Sequence, residues 1–199
     1  TAKLLKKIGI KKKNLNMIDT KGIINNTRKN LNIYKKEFIT KTNNKNINDI
    51  INDTDIIIGV ASSNILSINH IKNLKKKSII FALSNPNPEI NPTIIKKTRP
   101  DIIFATGRSD YKNQVNNAIC FPYIFKSVLN LKINYINNNI KKTTIHAIKN
   151  IARHIIEKKT KKYKNINFGN KYIIPKIEDK RLKSEIQLAI ENLHIKILS

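Results

Sequence analysis

The sequence predicts an α/β fold, a parallel sheet with helices on both faces and further helices at its C-terminal end. Three observations carry this. Short apolar runs rich in Ile recur as "DIIIGV" at 55–60, "SIIFAL" at 78–83 and "DIIFA" at 101–105. A continuous apolar run of that length marks a strand covered on both faces. Segments with helical spacing separate the runs, and such alternation argues for βαβ units. Small or amide-bearing residues follow each run, at the carboxyl ends where open parallel sheets bind ligands.

In chain order, Thr1–Ile8 reads as the tail of a helix, with Leu4, Leu5 and Ile8 on one face and Gly9 as its C-cap. A chain that opens inside a helix without an initiator Met reads most simply as lacking an N-terminal part. Asn14–Asp19, "NLNMID", alternates and ends on an acid, like a strand reaching a loop, and Thr20-Lys21-Gly22 forms the turn. Asn30–Lys41 reads as a helix carrying Tyr34 and Phe38 at i, i+4. Ile47, Ile50 and Ile51 mark a short helix. Asp55–Val60 is a strand, Ser67–Leu74 a helix, Ser78–Leu83 and Asp101–Ala105 two more strands. Beyond Asn116, Asn116–Leu131 and Ile140–Glu157 read as long helices. Lys158–Arg181 is mostly a basic loop broken by Pro175, and Leu182–Leu193 is a last helix with Ile186, Ala189 and Ile190 on one face. There is no internal repeat.

The 199 residues suffice for one substantial core, and 40% of them are hydrophobic. The apolar runs fall short of the roughly 20 residues that span a bilayer, so no transmembrane helix is expected. No signal peptide is visible. Cys120 is the lone cysteine, which excludes an internal disulfide and fits the reducing cytoplasm. No His and Asp arrangement points at it, so it reads as a packed small residue. The net charge of +26 invites a nucleic-acid reading. Yet the basic residues are spread along the chain, and only 5 of the 39 are Arg, the residue whose planar fork suits bases and phosphates. Lys, Ile and the 30 Asn share AT-rich codons, so coding bias accounts for the charge. A basic nucleic-acid-binding module is kept as the alternative function.

The predicted strand tips hold the candidate site. Asp19 follows the first. In a dinucleotide fold an acid there accepts hydrogen bonds from an adenosine ribose; it is equally a turn residue serving Gly22. Lys21 beside it leaves a 2′-phosphate open. Gly59 to Ser62 follow the second strand. In "ALSNPNPE", Pro86 and Pro88 force extended backbone on Asn85 and Asn87 and present the Asn85 amide beyond the third tip. That amide has a donor and an acceptor for a ribose hydroxyl and a substrate oxygen. In "GRSDYKNQVNNAICFP", Asn116 and Asn117 stand at a helix start, where an N-cap is favoured and an anion is attracted.

Together "DTKG", "ALSNPNPEI", "RPDIIFATGRSDYKNQVNNAICFPYIF", "HAI…IA" and "KYIIPKIEDKRL" resemble the C-terminal, NAD(P)-binding domain of malic enzyme, bacterial type, over nearly the whole chain. The resemblance implies a Rossmann-like domain over 1–131, lacking its first strand and Gly-rich loop, with a C-terminal helical extension over 132–199. It implies oxidative decarboxylation of L-malate to pyruvate and CO2 with reduction of NAD or NADP, assisted by Mg²⁺ or Mn²⁺, and a homo-oligomer. By position, Asp19, Gly59, Asn85 and Asn116 match cofactor-binding residues, and Asn85 and Asn117 match the residues that meet malate.

The departures from the family are specific. Its metal-binding carboxylates, catalytic Tyr and Lys and Gly-rich loop match nothing here and are expected upstream, so Asp101, Asp110 and Glu89 are not substitutes for them. A decayed, inactive fragment of the family is therefore a further alternative. The family's Gly-x-Ser-Gly-x-Gly reads "GVASSN" over Gly59–Asn64. Loss of two glycines is expected to crowd the backbone approach to the cofactor.

Overall fold

The computed structural model describes residues 1–154 and 167–198. Residues 1–55 and 72–75 form one compact unit, and the other described residues form a second.

The first unit opens with α1 (Ala2–Lys7), closed by Ile8 and by Gly9 at φ +108. Strands β1 (Ile18–Asp19) and β2 (Gly22–Ile23) pair antiparallel, Ile18 with Ile23 and Asp19 with Gly22. The expected Asn14–Asp19 strand is thus mostly absent: Lys12–Asn14 is a 3-10 turn, and the two residues left fold back on the next stretch rather than joining the parallel sheet. Gly22 makes this possible. Its φ is +99, and the carbonyl of Lys45 fills the space a side chain would need. The expected helix at 30–41 shrinks to α2 (Ile33–Lys36), capped by Asn32. Thr40 draws the chain out of the helix, since its N–H donates to the Ile24 carbonyl and its own carbonyl accepts from Asn26. Tyr34 and Phe38 therefore part company, Tyr34 exposed and Phe38 buried with Ile23, Ile24, Leu31 and Ile51. The short helix expected around Ile47–Ile51 is two 3-10 turns, Ile47–Asp49 and Ile51–Asp53.

The second unit contains the parallel sheet. Strands β3 (Ile56–Gly59), β4 (Ile79–Ala82) and β5 (Ile103–Thr106) lie in the order β3-β4-β5, with Ile56 opposite Ile79 and Ile79 opposite Ile103. All three apolar runs are strands, as their composition predicts. β4 is central, with Ile80 and Ala82 fully buried. The expectation that "DIIIGV" is covered on both faces fails at its ends: β3 is an edge strand, Ile56 is 51% exposed and Val60 71%.

Between β3 and β4 runs α3 (Ile68–Asn73), as expected. Between β4 and β5 runs α4 (Pro92–Thr98), which the sequence reading does not name. Its signal is present in "NPTII": Asn91 caps the Thr93 N–H and Pro92 opens the helix. Arg99 closes the turn after it, donating to both carboxylate oxygens of Asp101 at 2.8 and 2.9 Å and to the Ile71 carbonyl.

Helices α5 (Phe121–Asn130), α6 (Asn138–Arg153) and α7 (Arg181–Leu198) follow. They share one core of Ile119, Val128, Ile140, Ala147, Ile151, Leu182, Ile186 and Ile190. The helix expected from Asn116 begins at Phe121, because Asn117–Ile119 is a 3-10 turn and Pro122 suits a first helical turn. The end of the expected Ile140–Glu157 helix and the start of the basic loop fall at 155–166, outside the described residues. No described helix is long and apolar enough to cross a membrane.

Candidate functional site

The carboxyl ends of β4 and β5 frame a cleft of ≈ 640 Å³. Beyond β4 the chain runs Leu83, Ser84, Asn85, Pro86. Ser84 is buried and fixed twice: its N–H donates to Glu89 Oε2 at 3.2 Å, and its Oγ donates to the Asn87 carbonyl at 2.6 Å. Asn85 is exposed at the rim, and its bond to Pro86 is cis.

Beyond β5 a loop leaves the sheet at Thr106 and returns to it. The Thr106 N–H donates to the Asn113 carbonyl, and the Val115 N–H donates to the Thr106 carbonyl. Asn113 anchors the return. Its amide nitrogen donates to the carbonyls of Phe104 and Asn170, at 3.0 and 2.9 Å, and its Oδ1 accepts from the Ile173 N–H at 2.9 Å. This buried residue has φ +56, a backbone that asparagine tolerates better than most. The anchored return delivers Asn116 and Asn117 to the cleft. Asn116 Oδ1 accepts from the Ala118 N–H at 3.0 Å and caps the 3-10 turn.

The structure therefore brings Asn85, Asn116 and Asn117 together around one cleft, beside Val60, Ser84 and Gly107. The charged residues of its lining are Arg108 and Asp110, which grip each other through two hydrogen bonds of 2.8 Å. That pairing holds the Asp110 carboxyl below its ordinary range. Arg108 was not among the sequence candidates. The polar loop after β5 was its only signal. It also lines a smaller adjoining cleft of ≈ 300 Å³, and its guanidinium lies 5.8 Å from the Tyr111 ring centre. Chemically, the larger cleft offers amides and a neutralised ion pair. It can hold and orient a polar ligand, and its lining has no neutral acid or unpaired carboxylate to move a proton.

Gly59 is placed differently from the three amides. It ends β3, the cleft is lined by its neighbour Val60, and a Cβ on it would overlap the Glu89 carboxyl group. Asn64 takes a left-handed φ of +57, where it stands in for glycine, and Ser62 needs no positive φ. Cys120 is half-buried, and burial pushes its thiol up, so it packs rather than reacts.

Asp19 lies in the first compact unit. Arg28 donates to both of its oxygens at 3.1 Å, Lys35 donates at 2.6 Å and the Lys21 N–H at 2.9 Å. Arg28 first and Lys35 second hold its carboxyl far below the usual carboxylate range. The residue is both an ion-pair centre and the turn acid.

Residues 8–172 match the family described as malic enzyme, NAD binding domain. The NADP-dependent malic enzyme of Halomonas elongata is 38% identical over 191 residues, covering 94% of this chain and 45% of that protein. An NAD-dependent malic enzyme of Rhizobium meliloti is 32% identical over 191 residues, covering 94% of this chain and 25% of that protein. The crystal structure of NAD-dependent malic enzyme from Thermotoga maritima superposes with a TM-score of 0.79 at 32% identity, over 96% of this chain and 47% of that one. The chain thus spans less than half the length of each.

Proposed function

This chain belongs to the malic enzyme family through its NAD-binding domain, and from that premise we propose that it forms the nicotinamide- and malate-facing part of an enzyme that oxidatively decarboxylates L-malate to pyruvate and CO2 with reduction of NAD or NADP. The observation that carries the reading is the meeting of three exposed amides, Asn85, Asn116 and Asn117, at the carboxyl ends of β4 and β5.

The cleft volume suits the nicotinamide end of a dinucleotide together with a small acid. The bound dinucleotide supplies the acceptor for the C2 hydride of malate. Asn85 bridges the ribose side and a substrate oxygen, using donor and acceptor of one amide. Asn117 donates to the substrate carboxylate, and Asn116 sits against the cofactor. Their role is orientation, which lowers a barrier by removing freedom before the reaction. By its match to the family's cofactor-binding acid, Asp19 is assigned to the adenosine ribose; the cations around it leave both NAD and NADP in play. Gly59 contributes the tight strand end behind Val60. Among the described residues no three His, Cys, Asp or Glu side chains gather as metal ligands. The Mg²⁺ or Mn²⁺ that the family implies finds no ligand set among them.

The test is malate-dependent NAD(P)H formation by the full-length protein carrying this chain, assayed with divalent metal and with NAD and NADP separately. Formation in either arm supports the reading. No formation, with DNA binding that weakens steeply as salt rises, replaces it by the nucleic-acid module. No formation and no dinucleotide binding identifies an inactive member of the family.

A further inference from the structure

Glu89, in the loop between β4 and α4, carries a carboxylate with no solvent exposure, and two loops of the site converge on it. Its Oε1 accepts from the Ala61 N–H at 3.3 Å, just beyond β3, and its Oε2 accepts from the Ser84 N–H at 3.2 Å, just beyond β4. Its own carbonyl accepts from Leu66 N–H at 3.0 Å, and that of Pro88 from Asn64 N–H at 3.3 Å. Segment 84–89 is thereby fastened to segment 61–66 along its length. Gly59 leaves room for the carboxylate: a Cβ there would come within 2.7 Å of Glu89 Cγ and closer to the carboxyl atoms. A buried carboxylate is costly unless its oxygens are met by donors, and here backbone N–H groups meet both.

We propose that Glu89 is a positioning residue for Asn85, holding the amide's loop against the loop after β3, and that Gly59 is glycine to admit the Glu89 carboxylate. Ser84 is the link, since the N–H that Glu89 fixes belongs to the residue before Asn85. The inference rests on the malate reading for its kinetic arm only.

Glu89→Gln keeps the shape but turns an NH2 toward one of the two N–H donors. Amide hydrogen exchange at Ala61 and Ser84 is expected to quicken about tenfold, with β4 unchanged. This readout needs no activity, so it survives failure of the malate reading. In the full-length protein, Glu89→Gln is expected to lower kcat/KM for malate about 10- to 100-fold, and less than about threefold in an Asn85→Ala background, because the two act through one group. A purely structural role gives the same loss in both backgrounds and overturns the proposal. Unchanged exchange overturns it as well. Gly59→Ala, which displaces the carboxylate without altering its charge, is expected to show the same exchange and kinetic signature, and serves if Glu89→Gln does not fold. If neither variant folds, Glu89 is a core residue and the proposal fails.

Discussion

Arg28 grips Asp19 through both carboxylate oxygens, at 3.1 Å each, while Lys35 reaches the same carboxylate at 2.6 Å. Two cations on a mostly buried acid lower its pKa. The group is depressed in the fold, so its stabilisation is present above the ordinary Asp value and is lost as pH falls through the folded value. Asp19→Asn is expected to destabilise the protein by about 1–2 kcal/mol at neutral pH. Urea unfolding of both proteins checks it: the gap should narrow steadily as pH drops below about 4.

Asn113→Ala removes three hydrogen bonds and leaves a left-handed backbone to a residue that resists it. A loss of about 2–4 kcal/mol is expected by chemical denaturation. Asn113→Gly should recover about 1 kcal/mol of it, the backbone share alone.

At Asn64 the prediction runs the other way. Glycine should be accepted with a change within about 0.5 kcal/mol, whereas Asn64→Val should cost about 1–2 kcal/mol, since a β-branched residue resists φ +57. Thermal melts of the two variants decide it.

For the amides, Asn85→Ala and Asn117→Ala in the full-length enzyme are each expected to remove roughly 1–3 kcal/mol of transition-state stabilisation, read as kcat/KM for malate. Unchanged kinetics in both would return Asn85 to a plain loop residue and Asn117 to the turn it opens.

The parallel strands were legible because buried strands need apolar runs, and "DIIIGV", "SIIFAL" and "DIIFA" supply one for each. The amides were legible because Pro and Asn punctuate strand tips in few ways. What escaped was set by distant partners. The helical spacing of Tyr34 and Phe38 was overruled by the Thr40–Ile24 hydrogen bonds, which no local pattern announces. The Asn14–Asp19 alternation gave no hint that Gly22 would fold it back against Lys45. Glu89 sat in plain view in "NPNPE", but its burial is a tertiary fact. The Arg99–Asp101 pair beyond α4 is likewise a matter of side-chain geometry that the letters alone do not show.

The cap that Asn116 makes on Ala118 has a directional consequence. With its side-chain oxygen accepting from the Ala118 N–H, the amide has its rotation restricted, and its NH2 remains as the group able to donate. An oxygen lone pair finds a match there, whereas an ammonium or a second N–H meets its own kind. The cap thus fixes the polarity this residue can offer a neighbour, a donor rather than an acceptor, without adding any charge.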